Sequence, residues 1–136
     1  MKVDFGNLID KALEARERAY APYSNFRVGA ALLCENGKIF QGCNIENAAY
    51  SPSNCAERTA FFKAVSEGEK DFLAIAIVGG RDAVRELCAP CGVCRQVMAE
   101  FCSSDFAVVS GTSRDNFKVF KLSELFPFGF SKNDLN

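Results

Sequence analysis

Phe72-Leu73-Ala74-Ile75-Ala76-Ile77-Val78, a loop from Gly79-Gly80 to Ala89, and then Pro90-Cys91-Gly92-Val93-Cys94 form the stretch that decides the fold. The first seven residues are short, apolar and nearly continuous, as in a buried strand. Pro90 stands where a helix would begin, and Cys91 to Cys102 continues as that helix.

The pattern extends outwards on both sides. Leu8, Ala12, Ala15 and Ala19 recur at helical spacing beside Phe5, Ile9 and Leu13, so residues 4 to 19 are expected as an amphipathic helix. Phe26 to Cys34 and Lys38 to Cys43 flank Glu35-Asn36-Gly37, whose Asn-Gly accepts the positive φ of a hairpin turn. Cys55 to Glu67 is expected as a second helix. Phe106 to Ser110 and Phe117 to Phe120 are two further strands around a Gly-Thr-Ser turn, followed by a helical turn at Ser123 to Phe126. The expectation is one domain over residues 1–136. It is an α/β sandwich of three layers, with a central mixed sheet of about five strands and helices on both faces. Asn44 to Asn54 has no periodicity over eleven residues and is a candidate functional loop.

Composition removes several classes of function. The 136 residues are 49% hydrophobic, enough for a core, and carry 16 basic against 17 acidic groups. No basic stripe favours a nucleic-acid partner. No apolar run is long enough to span a bilayer, and no signal-peptide pattern follows Met1. A cytoplasmic location is therefore expected, where seven cysteines are not a disulfide framework. The chain has no histidine, so any acid or base must be a carboxylate, thiolate, Lys or Tyr.

Cys91-x-x-Cys94 puts two sulfurs on one face at a helix start, where the helix dipole favours thiolate. Asn54-Cys55-Ala56-Glu57 begins the other helix in the same way. Two helix starts aimed at one spot would make a three-thiolate zinc site with the fourth position open. Cys88 is the one plausible fourth ligand by proximity in sequence. Glu57 would stand near the metal without being forced to ligate it, placed to move protons. Asn54 and Glu57 also spell a capping box, and Cys91-x-x-Cys94 alone could be a redox pair. Three thiolates and Zn²⁺ sum to a negative site, so hydrogen bonds from Arg58 or Arg95 to the sulfurs would restore acidity.

Cys55-Ala56-Glu57 with Pro90-Cys91-Gly92-Val93-Cys94 resembles the zinc-dependent nucleobase and nucleoside deaminases, a class whose three-cysteine form is well described. Tyr20 to Ala30, Gly42 to Tyr50 and Cys94-Arg95-Gln96 extend the resemblance to cytidine deaminases of the small homotetrameric type. This resemblance implies one zinc per subunit on Cys55, Cys91 and Cys94, with Glu57 as proton carrier. It also implies ribose contacts from Asn44 and Glu46, and pyrimidine contact by Phe26. Phe130 would come from a neighbouring subunit, and part of the 48–50 loop would be shared. Aromatic faces do not tell pyrimidines apart, so cytosine must be read by ring-edge hydrogen bonds from Glu57 and the backbone near Cys55, at Ala56. The substrate would be a small nucleoside, cytidine or 2'-deoxycytidine. A deaminase of blasticidin S, a deaminase editing tRNA or single-stranded nucleic acid, a structural zinc module closed by Cys88 and a redox protein are the alternatives.

Overall fold

The computed structural model describes residues 2–135. Its helices are α1 (Phe5–Arg16), α2 (Ala56–Ser66), α3 (Gly92–Phe101) and the short α4 (Leu122–Leu125). Its strands are β1 (Arg27–Cys34), β2 (Ile39–Cys43), β3 (Phe72–Gly80), β4 (Ala107–Ser113) and β5 (Asn116–Lys121). The strands join in the order β2-β1-β3-β4-β5. Only β3 and β4 run parallel, with Ala74 opposite Ala107 and Ile77 opposite Ser110, so the sheet is mixed. A parallel pair needs a crossover, and α3 supplies it.

Successive side chains on a strand point to opposite faces, and here both faces are covered. Ala31, Ala74, Ala76, Val78 and Val109 pack against Leu8, Ile9 and Ala12 of α1. Ala30, Leu32, Ile75, Ile77 and Val108 pack against Ala60, Phe61 and Ala64 of α2 and Met98 of α3. The result is the three-layer α/β/α arrangement expected from the sequence. Two glycines bring the helices flush with the sheet. A Cβ on Gly29 would stand 2.0 Å from the Ala12 carbonyl oxygen, and one on Gly42 would stand 2.4 Å from that of Ala56. Gly42 thereby sets the height of the first turn of α2 above β2, which is where the site begins.

Three expectations need correction. α1 stops at Arg16 rather than residue 19, because the Arg16 side chain turns inward. It donates to the carbonyls of Arg27 at 3.2 Å and Gly80 at 2.8 Å, while Arg18 and Ala19 fall back to i−3 bonds. Gly111-Thr112-Ser113 is strand and not turn; the hairpin turns at Arg114-Asp115. Gly111 is needed instead for close approach, since a Cβ there would lie 2.6 Å from that of Phe117. Gly79-Gly80 belongs to β3 rather than to the loop that follows. The alternative of a capping box at Asn54 and Glu57 is not met: Cys55, not Asn54, is the N-cap of α2, and the Asn54 amide donates to Thr59.

Candidate active site

α2 and α3 start beside one another, with Cys55 and Cys91 as their N-cap residues. The Cys55 and Cys91 sulfurs are 3.7 Å apart, those of Cys91 and Cys94 are 3.5 Å apart, and all three lie within 4.8 Å of one another. Sulfurs around a tetrahedral zinc, each at about 2.3 Å, stand about 3.8 Å from one another. The chain's own spacing therefore fits the ion. Among the described residues Cys88 is not part of this group, so the protein offers three ligands and leaves the fourth position open.

The electrostatics favour thiolate at Cys55. A hydrogen bond from Cys94 and those of Arg58 and Cys91 hold Cys55 down at about 5, against burial. Cys94 is pushed far above the ordinary thiol range, first by its hydrogen bond to Cys55 and then by burial. Arg58 donates from Nη2 to the Cys55 sulfur at 3.2 Å. Burial works against its charge, but the sulfurs outweigh that and raise its pKa. Its Nε–H is buried without a partner. Arg95 is oriented differently from expectation. Its guanidinium donates to the Pro90 carbonyl at 2.8 Å and the Leu125 carbonyl at 2.5 Å, and so braces the loop before Cys91 instead of a sulfur.

Glu57 is on the first turn of α2 and only 4% exposed. Burial raises its carboxyl to about 7, and the Cys55 charge adds to the effect. A carboxyl that half-ionises near neutrality suits a group that must both take and give a proton. Ala56 precedes it, with no surface exposed to solvent except as cavity wall. The opening N–H groups of α2 there have no partner within the helix.

A cavity of about 530 Å³ runs from the sulfurs to the 44–54 loop and is lined by Phe26, Asn44, Glu46, Cys55, Ala56, Glu57, Arg58 and Cys91. Asn44 is buried and its amide already has work: Nδ2 donates to the Phe26 carbonyl at 2.8 Å, and Oδ1 accepts from Val28 N–H at 2.9 Å. Glu46 accepts from the backbone N–H groups of Tyr23 at 3.0 Å and Ser24 at 3.1 Å, and from the Ser24 hydroxyl. These bonds, that hydroxyl first, hold its carboxyl below the usual range, so it stays an acceptor.

Ser24 was missed in the sequence. Its oxygen also accepts from Phe26 N–H at 2.9 Å, tying the Glu46 and Phe26 walls together. The signal was a serine two residues before Phe26, a spacing typical of a side-chain turn. Tyr50, from the 42–50 segment marked in the sequence, lines the same cavity, as does Val93, which was not singled out. Phe130 does not reach its own chain's cavity. It is 59% exposed, and its carbonyl accepts from Gln96 at 2.8 Å. Cys34 and Cys102 are core thiols that burial pushes up to about 11 and about 12.

Comparison with known proteins gives a consistent picture. A family model described as the cytidine and deoxycytidylate deaminase zinc-binding region matches residues 5–110. A cytidine deaminase of Halalkalibacterium halodurans is 52% identical over 129 residues, covering 95% of this chain and 96% of its own. One from Sporosarcina psychrophila is 50% identical over 134 residues, covering 98% and 96%. The crystal structure of cytidine deaminase from Burkholderia pseudomallei superposes with a TM-score of 0.84 at 48% identity, covering 91% of this chain and 97% of that one.

Proposed function

The chain belongs to the cytidine and deoxycytidylate deaminase family, and on that footing we propose that it hydrolyses cytidine, and 2'-deoxycytidine, to the uridine form and ammonia. The observation that carries the reading is one cavity holding three sulfurs at zinc spacing, a buried carboxyl beside them and an amide–carboxylate pair at its far end.

Cys55, Cys91 and Cys94 would hold zinc, which would supply Lewis acidity. Glu57 would take one proton from the attacking water and deliver it to N3 of the pyrimidine as the water oxygen adds to C4. The same carboxyl then moves the remaining hydroxyl proton to the amino nitrogen. The C4–N bond breaks, the C4 carbonyl forms, and ammonia leaves. N3 keeps its hydrogen, so atoms balance with one water consumed. Arg58 draws negative charge from the Cys55 sulfur and so offsets the surplus of a three-thiolate set.

Recognition follows from the other walls. A ribose hydroxyl both donates and accepts, which suits the free amide hydrogen of Asn44 and the carboxylate of Glu46. Phe26 offers a face to the pyrimidine, and α2 backbone at Ala56 offers hydrogen bonds to its edge. Residues 1–136 work as one domain, and a homotetramer brings Phe130 of one subunit to the cavity of the next. The exposure of Phe128 and Phe130 supports a partner surface there. No helix among the described residues is long and apolar enough to cross a membrane. The reading places the enzyme in the cytoplasm, in nucleoside salvage.

The test is to incubate zinc-loaded protein with cytidine, and separately with free cytosine. Uridine and ammonia appearing one for one from the nucleoside, with the free base nearly inert, is the expected result. Equal turnover of cytosine would remove the ribose-binding role of Asn44 and Glu46, and no turnover of either would overturn the reading.

A further inference from the structure

A fourth cysteine stands close to the metal group and yet outside it. Cys88 precedes Cys91 by three residues, and both line the cavity with Cys55. Four thiolates around zinc make a closed, structural site, whereas hydrolytic chemistry needs an open position. A mobile Cys88 would compete for that position at every turnover, so something must restrain it.

Two features of this chain do so. Ser110, in the middle of β4, is only 3% exposed. Its hydroxyl accepts from the Cys88 N–H and donates to the Cys88 carbonyl, both at 2.9 Å. One buried side chain thus satisfies both backbone groups of a single loop residue, fixing where that residue's Cα–Cβ bond points. Gly79, at the end of β3, leaves the space into which the thiol is directed. A Cβ on Gly79 would lie 2.8 Å from the Cys88 sulfur and 3.0 Å from the Phe26 ring. The sulfur is stowed beside the Gly79 backbone and the Phe26 ring, outside the group that Cys55, Cys91 and Cys94 form.

We propose that Ser110 and Gly79 are positioning residues that hold the Cys88 thiol aside and so keep the fourth coordination position of the zinc open. The proposal rests on the zinc-deaminase reading of the site. When the restraint is lost, Cys88 gives its proton to solvent and binds as a fourth thiolate.

The experiment replaces zinc by cobalt(II), whose sulfur-to-metal charge-transfer absorbance grows with each bound thiolate. The proteins are wild type, Ser110→Ala, Gly79→Ala, Cys88→Ala and the Ser110→Ala/Cys88→Ala double variant. Wild type and C88A are expected to show three-thiolate intensity. S110A gains the fourth thiolate and loses about tenfold in kcat, as expected when two hydrogen bonds that bias a position are removed. The double variant returns to the spectrum and the activity of C88A, a coupling that a purely structural role would not produce. G79A, which fills the space without touching Ser110, gains the same spectrum. A three-thiolate spectrum in both S110A and G79A, or a kcat loss in S110A that C88A does not relieve, would overturn the proposal. Failure of the deaminase reading shows separately, as a wild type that releases no uridine whatever its cobalt spectrum.

Discussion

Glu57, the proton carrier of the proposed mechanism, also has a conformational cost. Its carboxyl has a pKa of about 7 in the fold against 4.5 when exposed, with burial the main cause. Between those values the folded chain binds more protons than the unfolded one, so stability falls as pH rises. This group's contribution is complete below about pH 4 and is lost through about pH 7. Glu57→Gln removes the dependence. In metal-free protein the variant should gain on wild type by on the order of 3 kcal/mol between pH 4.5 and 7, read from urea melts at each pH. A constant difference would mean that the carboxyl is not buried as described. Arg58 makes a second prediction at this scale. With Arg58→Gln the site keeps its metal but becomes more negative, so the acidic limb of the kcat profile moves to higher pH. An unmoved limb would assign Arg58 to packing alone.

The elements that matter are two helix starts and the strand ends that support them. Gly42→Ala should lift α2 from β2, because the new Cβ meets the Ala56 and Ala60 backbone at 2.4 and 2.5 Å. A loss of about 1–3 kcal/mol is expected, together with weaker zinc binding, since Cys55 caps the displaced turn. Zinc affinity unchanged in a destabilised variant would show that the metal group is not tied to the height of α2.

It is at this scale that the sequence was most legible. Apolar runs at Phe72 and Val28, the Asn36-Gly37 turn and Pro90 located the strands and helix starts, because each is set by local pattern. The paired cysteine motifs were legible for the same reason. What was not legible depends on contacts far away in sequence. Arg95 reaches Leu125 thirty residues on, Ser110 holds Cys88 across twenty-two, and Arg16 ends its helix by reaching Gly80. No local pattern announces such bonds. Gly111-Thr112-Ser113 misled because glycine there serves strand approach rather than a turn. The Asn54/Glu57 spacing offered a capping box that does not form, because Cys55 takes the cap.

At the scale of the whole molecule, Phe130 lies on the surface, held by Gln96 of the metal-binding helix and away from its own cavity. If it completes a neighbour's site, two defective chains should repair each other. Phe130→Ala and Glu57→Ala proteins, each nearly inactive, are expected to regain activity when dissociated and reassembled together. The regained sites pair an intact Glu57 on one subunit with an intact Phe130 from the next. Activity no greater than the sum of the parts would place Phe130 in a merely structural role.

The central claim is that a three-cysteine zinc group and the Glu57 carboxyl together perform the hydrolysis. It is tested most directly by measuring metal content and cytidine turnover in the same samples of wild type and Glu57→Ala. One zinc per chain in both is predicted, with turnover falling by a factor of about 10²–10⁴ or more in the variant alone. An active wild type without zinc, or a Glu57→Ala protein that still converts cytidine at the wild-type rate, would contradict the account.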